Sequence, residues 1–342
     1  MLGTSRRRIG TPALMGLLVV GLVLTMSLAV AFGAVSVPFT TVWKIGAHKL
    51  LPDLVEPDWS KGWARIVWEI RFPRVILGAF VGAGLAVVGA VLQAATRNPL
   101  ADPYLFGVSA GAALGAVAVI VHVGNVVGVY TLPLAASAGA IVSLLTVVAI
   151  GLSGTGLTTE RLILAGVAVS FVLMAMMNFL IFLGDQRAAH SVVFWMLGGL
   201  GLARWSQLWV PFVVLLGGLS YLIAHARALN TMMVGEESAV TLGVDVTRMR
   251  LKLFIAAALI TGILVAISGA IGFVGLMIPH VVRRFVGADN RRLLPVCALV
   301  GAIFVIWVDV LARVILAPQE LPIGIITAGL GGVFFVWLMR RK

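Results

Sequence analysis

The chain has 342 residues, of which 61% are hydrophobic and 11% are charged. Soluble domains carry about 25% charged residues, so this composition excludes an ordinary soluble globular protein. A net charge of +12 would suggest nucleic-acid binding in a soluble chain. In a membrane protein the placement of Lys and Arg in the loops matters more, because it sets the orientation. The single cysteine, Cys297, excludes an internal disulfide and lies in an apolar segment, which is typical of a packed small residue.

Ten apolar segments predict ten transmembrane helices, since one span needs about 20 residues. They lie near 12–36, 73–95, 104–127, 132–152, 161–183, 207–225, 251–270, 272–286, 295–316 and 321–339. The first segment is too long for the core of a signal peptide, so we expect an uncleaved first helix. The segment 272–286 is short and holds Pro279, which predicts a half-length or tilted helix. Residues 191–201 are too few to cross and predict a re-entrant or rim helix.

The first loop outside the membrane, about 38–70, holds Trp43, Trp59, Trp63 and Trp68. Tryptophan rings favour the membrane–water interface, so we expect these side chains to anchor the loop there. Stacking on a ligand is the alternative.

Threading the spans from a cytoplasmic N-terminus places more Lys and Arg on the cytoplasmic side than outside, as the positive-inside tendency requires. Arg6, Arg7 and Arg8 then precede the first span, and an even number of spans returns Arg340 to the same side. The sequence therefore predicts an all-α polytopic membrane protein that forms one transmembrane domain over 1–342, with both termini in the cytoplasm.

The chain carries no motif for an energy source of its own. A P-loop requires Gly-Lys-Ser/Thr, and the dipeptide Gly-Lys is absent. Asp309 is the clear acid within a span, and intramembrane acids suggest function. Arg313 lies one helical turn later, so a local ion pair is the preferred interpretation. His280, beside Pro279, is interpreted as a hydrogen-bonded structural histidine rather than a metal or haem ligand.

The longest cytoplasmic loop, about 227–250, has the pattern of two short helices. Glu236 and Glu237 would lie at the positive N-terminal end of the first helix, and Gly243 could end it in a left-handed conformation. Asp245 could then cap the next helix, which leads into Arg248.

Several stretches together resemble the FecCD-type (BtuC-like) permeases of ABC importers, which carry vitamin B12, iron-siderophores or haem. The longest is 71–116, RFPRVILGAFVGAGLAVVGAVLQAATRNPLADPYLFGVSAGAALGA. The others are ERLILAG at 160–166, the loop GEESAVTLGVD at 235–245, GFVGLMIPHVVR at 272–283 and DVLARVILAPQELPIG at 309–324. The resemblance covers a core over 71–342, whereas 1–70, the first helix and outer loop, match in pattern alone.

The resemblance implies a permease subunit, not an enzyme, in the inner membrane of a bacterium. Its implied partners are a second copy related by a two-fold axis, two ATP-binding subunits and a periplasmic substrate-binding protein, with no nucleic acid. ATP and Mg would belong to the ATPase subunits, and this chain would bind no cofactor or metal of its own.

The resemblance also assigns roles to individual residues. Arg71, Arg74 and Arg313, at the outer ends of their helices, are expected to receive carboxylates of the binding protein, which guanidinium groups pair with bidentately. Contact with the ATPase is expected of Glu236, Glu237, Ala239, Leu242, Gly243, Val244 and Arg248. The cytoplasmic gate is expected at Asn98, Leu100, Thr159 and Glu160. Glu160 replaces the small hydroxyl residue expected there, so we expect it to face Arg161 or solvent.

The segment 185–199 should face the pathway mouth and looks more like the haem importers than the siderophore permeases. Arg187 could meet a propionate and His190 an iron, while Met177 and Met196 could soften an apolar pathway wall. The sequence thus favours haem or another iron chelate, with cobalamin as the alternative. A secondary transporter or channel without an ATPase is a more remote alternative.

Overall fold

The computed structural model of the chain describes residues 10–33, 35–153 and 158–340. The described residues are helical or irregular, with no strand among them. The α-helices are α1 (Thr11–Ala31), α2 (Phe39–Leu50), α3 (Lys61–Arg65), α4 (Phe72–Thr96), α5 (Val108–Ala118), α6 (Thr131–Leu152), α7 (Thr159–Phe182), α8 (Gln186–Met196), α9 (Trp205–Ala224), α10 (Ala226–Val234), α11 (Glu236–Thr241), α12 (Val246–Ser268), α13 (Val274–Val286), α14 (Asn290–Val314) and α15 (Ile323–Arg340). The arginines at 6–8 and 341, on which the predicted orientation partly rests, lie outside the described residues.

In the described part of the chain, eight helices are long and apolar enough to cross a membrane. They are α1, the continuous run Lys61–Thr96 that contains α3 and α4, and α6, α7, α9, α12, α14 and α15. The two remaining predicted spans correspond to shorter helices, α5 with the turn that extends it to Val123, and α13. The prediction of an all-α polytopic membrane protein is therefore confirmed, including the short helix that contains Pro279.

Two helices outside the spans depart from the prediction. The first outer loop contains α2, which the sequence analysis missed and which buries Val42 and Ile45 on one side. The predicted rim helix is α8, but it begins at Gln186, because Asp185 caps it by accepting a hydrogen bond from the Ala188 amide at 2.6 Å. It ends at Met196, since Gly198 turns the chain in the left-handed region with φ of 72°.

The outer-loop tryptophans pack more than expected. Trp59, Trp63 and Trp68 are partly buried against the hydrophobic core, while Trp43 is exposed. The Trp68 ring lies 4.9 Å from that of Trp205, whose indole nitrogen donates to the Trp68 carbonyl at 2.7 Å. These rings hold the outer loop to the bundle, so an anchoring role at the lipid surface fits Trp43 best.

Helix α4 lies in the middle of the bundle and is buried along nearly its whole length, against α9, α12, α13 and α14. Its glycines allow the neighbouring helices to approach at backbone distance. A methyl group added at Gly82 would lie 2.1 Å from the Gly301 carbonyl oxygen, and one added at Gly89 would lie 2.0 Å from that of Gly275. The glycine spacing in the sequence therefore reflects helix contacts around α4.

We predict that Gly82→Ala lowers the thermal unfolding midpoint of the purified protein by several degrees, because overpacking costs about 1–3 kcal/mol. Gly16→Ala is the matched control, since a methyl group at Gly16 meets no atom within 4 Å. The single cysteine, Cys297, is buried. Its reaction with a thiol-reactive fluorophore during heating therefore reports unfolding. Equal midpoints for the two variants would contradict the proposed close contact.

Candidate functional site: a cavity and two polar clusters

Three breaks between helices meet around a cavity of about 620 Å³. The breaks are the turn after α8 (198–202), the end of α12 (267–269) and the approach to α15 (320–323). The rest of the wall comes from Arg74, Ile120, Leu132, His190, Ser191, Phe194 and Trp195. Non-helical backbone at membrane depth is tolerated where it is buried in protein or lines a cavity, so the convergence of three breaks marks a candidate pathway.

Backbone hydrogen bonds hold these breaks together. The Gly199 amide donates to the Ser268 carbonyl at 2.8 Å, and the Ile323 amide donates to the Gly198 carbonyl at 3.0 Å. Gly269, with φ of 67°, approaches so closely that an added methyl group would lie 2.2 Å from the Trp195 carbonyl oxygen. The wall is thus built from satisfied backbone groups and leaves few side chains to recognise a cargo.

Of the four predicted pathway residues, His190 lines the cavity, and its ring lies 4.7 Å from that of Phe194. Arg187 is exposed on α8 and does not belong to the described wall. Met177 is buried and packs with Val117 and Val192, so it fills a core instead of facing the pathway. Met196 is exposed at the end of α8, also outside the described wall.

One end of α4, here called the outer end, carries a buried ionic cluster. Arg74 donates from Nε to both Asp309 carboxylate oxygens, at 2.9 and 3.1 Å, and from Nη1 to Glu320 at 2.7 Å. Arg313 pairs with the same Asp309 at 3.0 Å. Asp309 is 1% exposed, so this carboxylate compensates two cations away from water. The predicted Asp309–Arg313 pair is confirmed, whereas Arg74 and Glu320 as its further members were missed.

The cluster is completed by backbone carbonyl groups in the last turn of α1 and just after that helix. Arg71 donates to the carbonyls of Val30 and Ala31 at 2.9 and 2.8 Å, and also to that of Val35. Arg313 donates to the carbonyls of Phe32 and Ala29 at 2.8 and 3.2 Å. The free carbonyl groups at a helix C-terminus are natural partners for a cation.

The three arginines predicted to dock the binding protein are less accessible than expected. Arg71, Arg74 and Arg313 are 5%, 4% and 3% exposed, and each guanidinium group is directed at partners within the chain. Within the chain, Asp309 and Glu320 supply carboxylates to Arg74 and Arg313, whereas the partners of Arg71 are backbone carbonyl groups. Docking by these arginines remains a prediction.

The other end of α4, here called the inner end, leads into the predicted gate. Arg97 ends the helix in the left-handed region, with φ of 51°. Asn98 then accepts a hydrogen bond from the Leu100 amide at 2.9 Å, and Leu100 is exposed. The next acid, Asp102, is buried, and this burial raises the pKa of its carboxyl group to about 6.

Thr159 and Glu160, the second predicted gate element, begin α7. The side chain of Thr158 caps this helix by accepting from the Arg161 amide at 3.3 Å. Glu160 is exposed, as expected of a carboxylate that faces solvent. The Thr159 side chain lies outside the described part, and gating by these residues remains a prediction.

The first predicted helix of this loop is α11, and the second, which follows Asp245, is the start of the long helix α12. Helix α10, which precedes Gly235, was not predicted. Gly243 ends α11 with φ of 81°, and its amide donates to the Val240 carbonyl at 2.9 Å. The Val244 amide donates to the Ala239 carbonyl at 2.9 Å, which completes a Schellman motif. Asp245 caps α12 by accepting from the Arg248 amide at 3.0 Å.

The side chains of this segment face two ways. Ala239 is fully buried, whereas Leu242 and Val240 are exposed on α11 and just after it. Glu237 and Arg248 are exposed as well. Apolar side chains exposed in a loop between two spans favour contact with a partner protein. The role of these residues in ATPase contact remains a prediction.

Two further polar contacts were not foreseen. Gln93 of α4 donates to the Gly275 carbonyl at 3.1 Å and accepts from Arg283 at 2.5 Å, which joins α4 to α13. The sequence did carry one signal for this contact, because Gln93 is an amide side chain in an otherwise apolar helix. The His280 ring packs edge-on against Phe334 at 5.7 Å. Its Nε2 is buried and has no hydrogen-bond partner among the described residues, so the expected hydrogen bond is not found there.

Comparisons with known proteins agree with this architecture. The model of the FecCD transport family matches residues 19–341. The cobalamin import system permease protein BtuC of Halobacterium salinarum is 46% identical over 277 residues, which are 81% of this chain and 74% of that protein. The vitamin B12 import system permease protein BtuC of Salmonella typhi is 42% identical over 287 residues, 83% of this chain and 87% of that protein. A metal-chelate type ABC transporter solved in an inward-facing conformation has a TM-score of 0.84 at 30% identity, over 97% of this chain and all of that one.

We predict that Asp309→Asn lowers the free energy of unfolding by about 3–5 kcal/mol, because it leaves buried arginine charges uncompensated. Glu69→Gln is the control: it removes an exposed carboxylate paired with Arg65 at 3.2 Å, and such pairs contribute less than about 1 kcal/mol. Labelling of Cys297 with a thiol-reactive fluorophore during heating would compare the stabilities of the two variants. If Asp309→Asn lost as little stability as Glu69→Gln, the proposed stabilising role of the ionic cluster would be contradicted.

Proposed function

Because this chain belongs to the FecCD transport family, we propose that it is the permease subunit of an ATP-driven importer whose cargo is cobalamin. Family membership makes the chain a multi-pass transport protein and not an enzyme. The observation that carries the cargo is the high identity to two permeases named for cobalamin or vitamin B12, over more than four-fifths of this chain. The expectation that the cargo is haem came from the segment 185–199. Its Arg187, which was expected to meet a propionate, lies outside the cavity wall.

The proposed assembly contains two copies of the chain, two ATP-binding subunits and a periplasmic substrate-binding protein, in the inner membrane of a bacterium. ATP and Mg act in the ATP-binding subunits. The exposed apolar residues Val240 and Leu242 support a partner surface on the coupling segment, 226–245. Alternating access then passes the cargo along the cavity walled by α8, α12 and α15, and Asn98, Leu100, Thr159 and Glu160 close the inner gate.

Haem or another iron chelate is the second candidate cargo. His190 favours it, because this imidazole lines the cavity and could meet an iron. The cavity is otherwise apolar apart from Arg74, Glu320 and two serines. An apolar wall with few charges suits any bulky chelate, so the cargo has to be tested directly.

The test is chelate-stimulated ATP hydrolysis by the complex in lipid nanodiscs, reconstituted with the ATP-binding subunit and binding protein of its own organism. Cobalamin with the binding protein is expected to stimulate hydrolysis, whereas haem and a ferric siderophore are not. Stimulation by haem but not by cobalamin would reject the proposed cargo. Chelate transport by the chain without its ATPase would reject the importer class and support a secondary transporter.

Docking of the binding protein at the outer end requires Arg71, Arg74 and Arg313 to exchange internal partners for its carboxylates. Glu320 is the accessible partner, with its side chain 46% exposed, and it holds one nitrogen of Arg74. We predict that Glu320→Gln strengthens binding of the binding protein to the complex, measured by surface plasmon resonance, because Nη1 of Arg74 loses its charged partner while Nε stays on Asp309. Unchanged or weaker binding, with the unfolding midpoint preserved, would contradict docking by Arg74.

A further inference from the structure

Glu236 begins α11 and turns back toward the membrane helices. Its Oε1 accepts a hydrogen bond from Arg250 of α12 at 2.6 Å. The same oxygen lies 3.8 Å from Nη2 of Arg97, at the end of α4. Arg250 is 3% exposed, whereas Arg97 and Glu236 are 49% and 48% exposed. One carboxylate therefore connects the coupling segment with two membrane helices.

The position of Arg97 gives this contact its significance. A non-glycine residue with positive φ is uncommon, and φ of 51° places Arg97 in the left-handed region that ends α4. The next residue, Asn98, fixes the turn to Leu100 with its side chain. A shift of Arg97 therefore moves the beginning of the predicted gate loop, 98–101.

The neighbouring helix of the coupling segment, α10, has polar contacts of its own with the start of α14. In α10, Asn230 accepts from the backbone and side-chain nitrogens of Asn290 at 2.8 and 2.9 Å, and it donates to Asp289 at 2.7 Å. The hydrogen bond from Asn230 lowers the pKa of the Asp289 carboxyl group, which keeps it charged. Leu229 is also fully buried. Helix α10 is thus joined by hydrogen bonds to the start of α14 and also packs on α4, while Glu236 links α11 to α12 and to the end of α4.

We propose that Glu236 is a positioning residue that transmits a displacement of α11 to the gate loop through Arg97, while Arg250 keeps its carboxylate oriented toward Arg97. The inference rests on the proposed function, because the displacement would come from an ATPase docked on the coupling segment. Charge-assisted hydrogen bonds such as the one from Arg250 are short and strong. The Glu236 carboxylate therefore keeps its bond to Arg250 when α11 is displaced.

A simpler role for Glu236 would be to stabilise the N-terminus of α11 with its charge. Glu237 lies in the same turn and could do the same. The two roles differ in their consequences: a charge at the helix end affects the stability of α11, whereas a positioning residue affects how much cargo moves for each ATP hydrolysed.

The test uses the complete complex in proteoliposomes and measures the ratio of chelate transported to ATP hydrolysed. Glu236→Gln and Arg97→Asn are each expected to lower this ratio at least about fivefold, with the unfolding midpoint maintained. ATP hydrolysis is expected to be maintained in Arg97→Asn, because Arg97 lies outside the coupling segment. Asn is chosen at 97 because it tolerates the left-handed conformation. Arg97→Lys, which keeps the charge, should retain most of the ratio. The double variant should fall no further than either single one, because the two residues act as a unit.

Arg292→Gln is the matched control and is expected to retain the wild-type ratio. It removes another exposed cytoplasmic arginine, whose nearest described carboxylate is Asp289 at 4.0 Å. An unchanged ratio in Glu236→Gln would overturn the proposal, as would additive losses in the double variant. Loss of ATP hydrolysis together with transport would also overturn it, because it would assign Glu236 to ATPase docking.

A second readout follows the gate loop directly. In a Cys297→Ala background, Leu100→Cys should change its reactivity toward a water-soluble thiol reagent when vanadate traps ADP in the ATP-binding subunits after hydrolysis. Adding Glu236→Gln should abolish this change, and a persistent change would overturn the proposal. A wild-type complex that moves no chelate and shows no ATP dependence would instead refute the proposed function on which this inference rests.

Discussion

Close packing around α4 is the constraint on which the rest of the structure depends. A helix that has neighbours on almost every side needs small residues where they cross, and Gly82 and Gly89 meet the backbones of α14 and α13. Within its apolar length, polar contacts such as that of Gln93 with Gly275 have partners inside the bundle. The charged groups collect at the two ends, where α4 contributes Arg74 to one cluster and Arg97 to the other.

The two ends differ in how firmly they are held. At the outer end, Asp309 is shared by two buried arginines, and removing one member of such a cluster leaves an uncompensated charge. At the inner end, Glu236 and Arg97 are half exposed, so solvent screens their contact and the ends they join are held less rigidly than the buried outer cluster. A permease needs this combination, because a rigid scaffold has to carry loops that move. The cavity lies between the outer cluster and the broken helices, where backbone hydrogen bonds form much of its wall.

The sequence predicted much of the fold, because long apolar runs and local capping residues leave clear patterns. The Schellman motif at Gly243 and the Asp245 cap depend on neighbouring residues and were anticipated. The partners of Arg71 and Arg74 were not, since they come from residues far apart in the chain, including carbonyl groups that every residue carries. Helix α2 was hidden in a loop with several charges, where its apolar residues are too few for a span. The residues did not decide between haem and cobalamin, because the cavity wall is largely apolar side chains and backbone.

The central claim is that this chain moves cobalamin at the expense of ATP. The most direct test is accumulation of radiolabelled cobalamin in proteoliposomes that contain the complete complex, with the binding protein and cobalamin on the opposite side from ATP. The account predicts uptake beyond the external concentration that requires hydrolysable ATP and disappears with a non-hydrolysable analogue. Uptake that merely equilibrates, or that proceeds equally without the ATP-binding subunit, would contradict it.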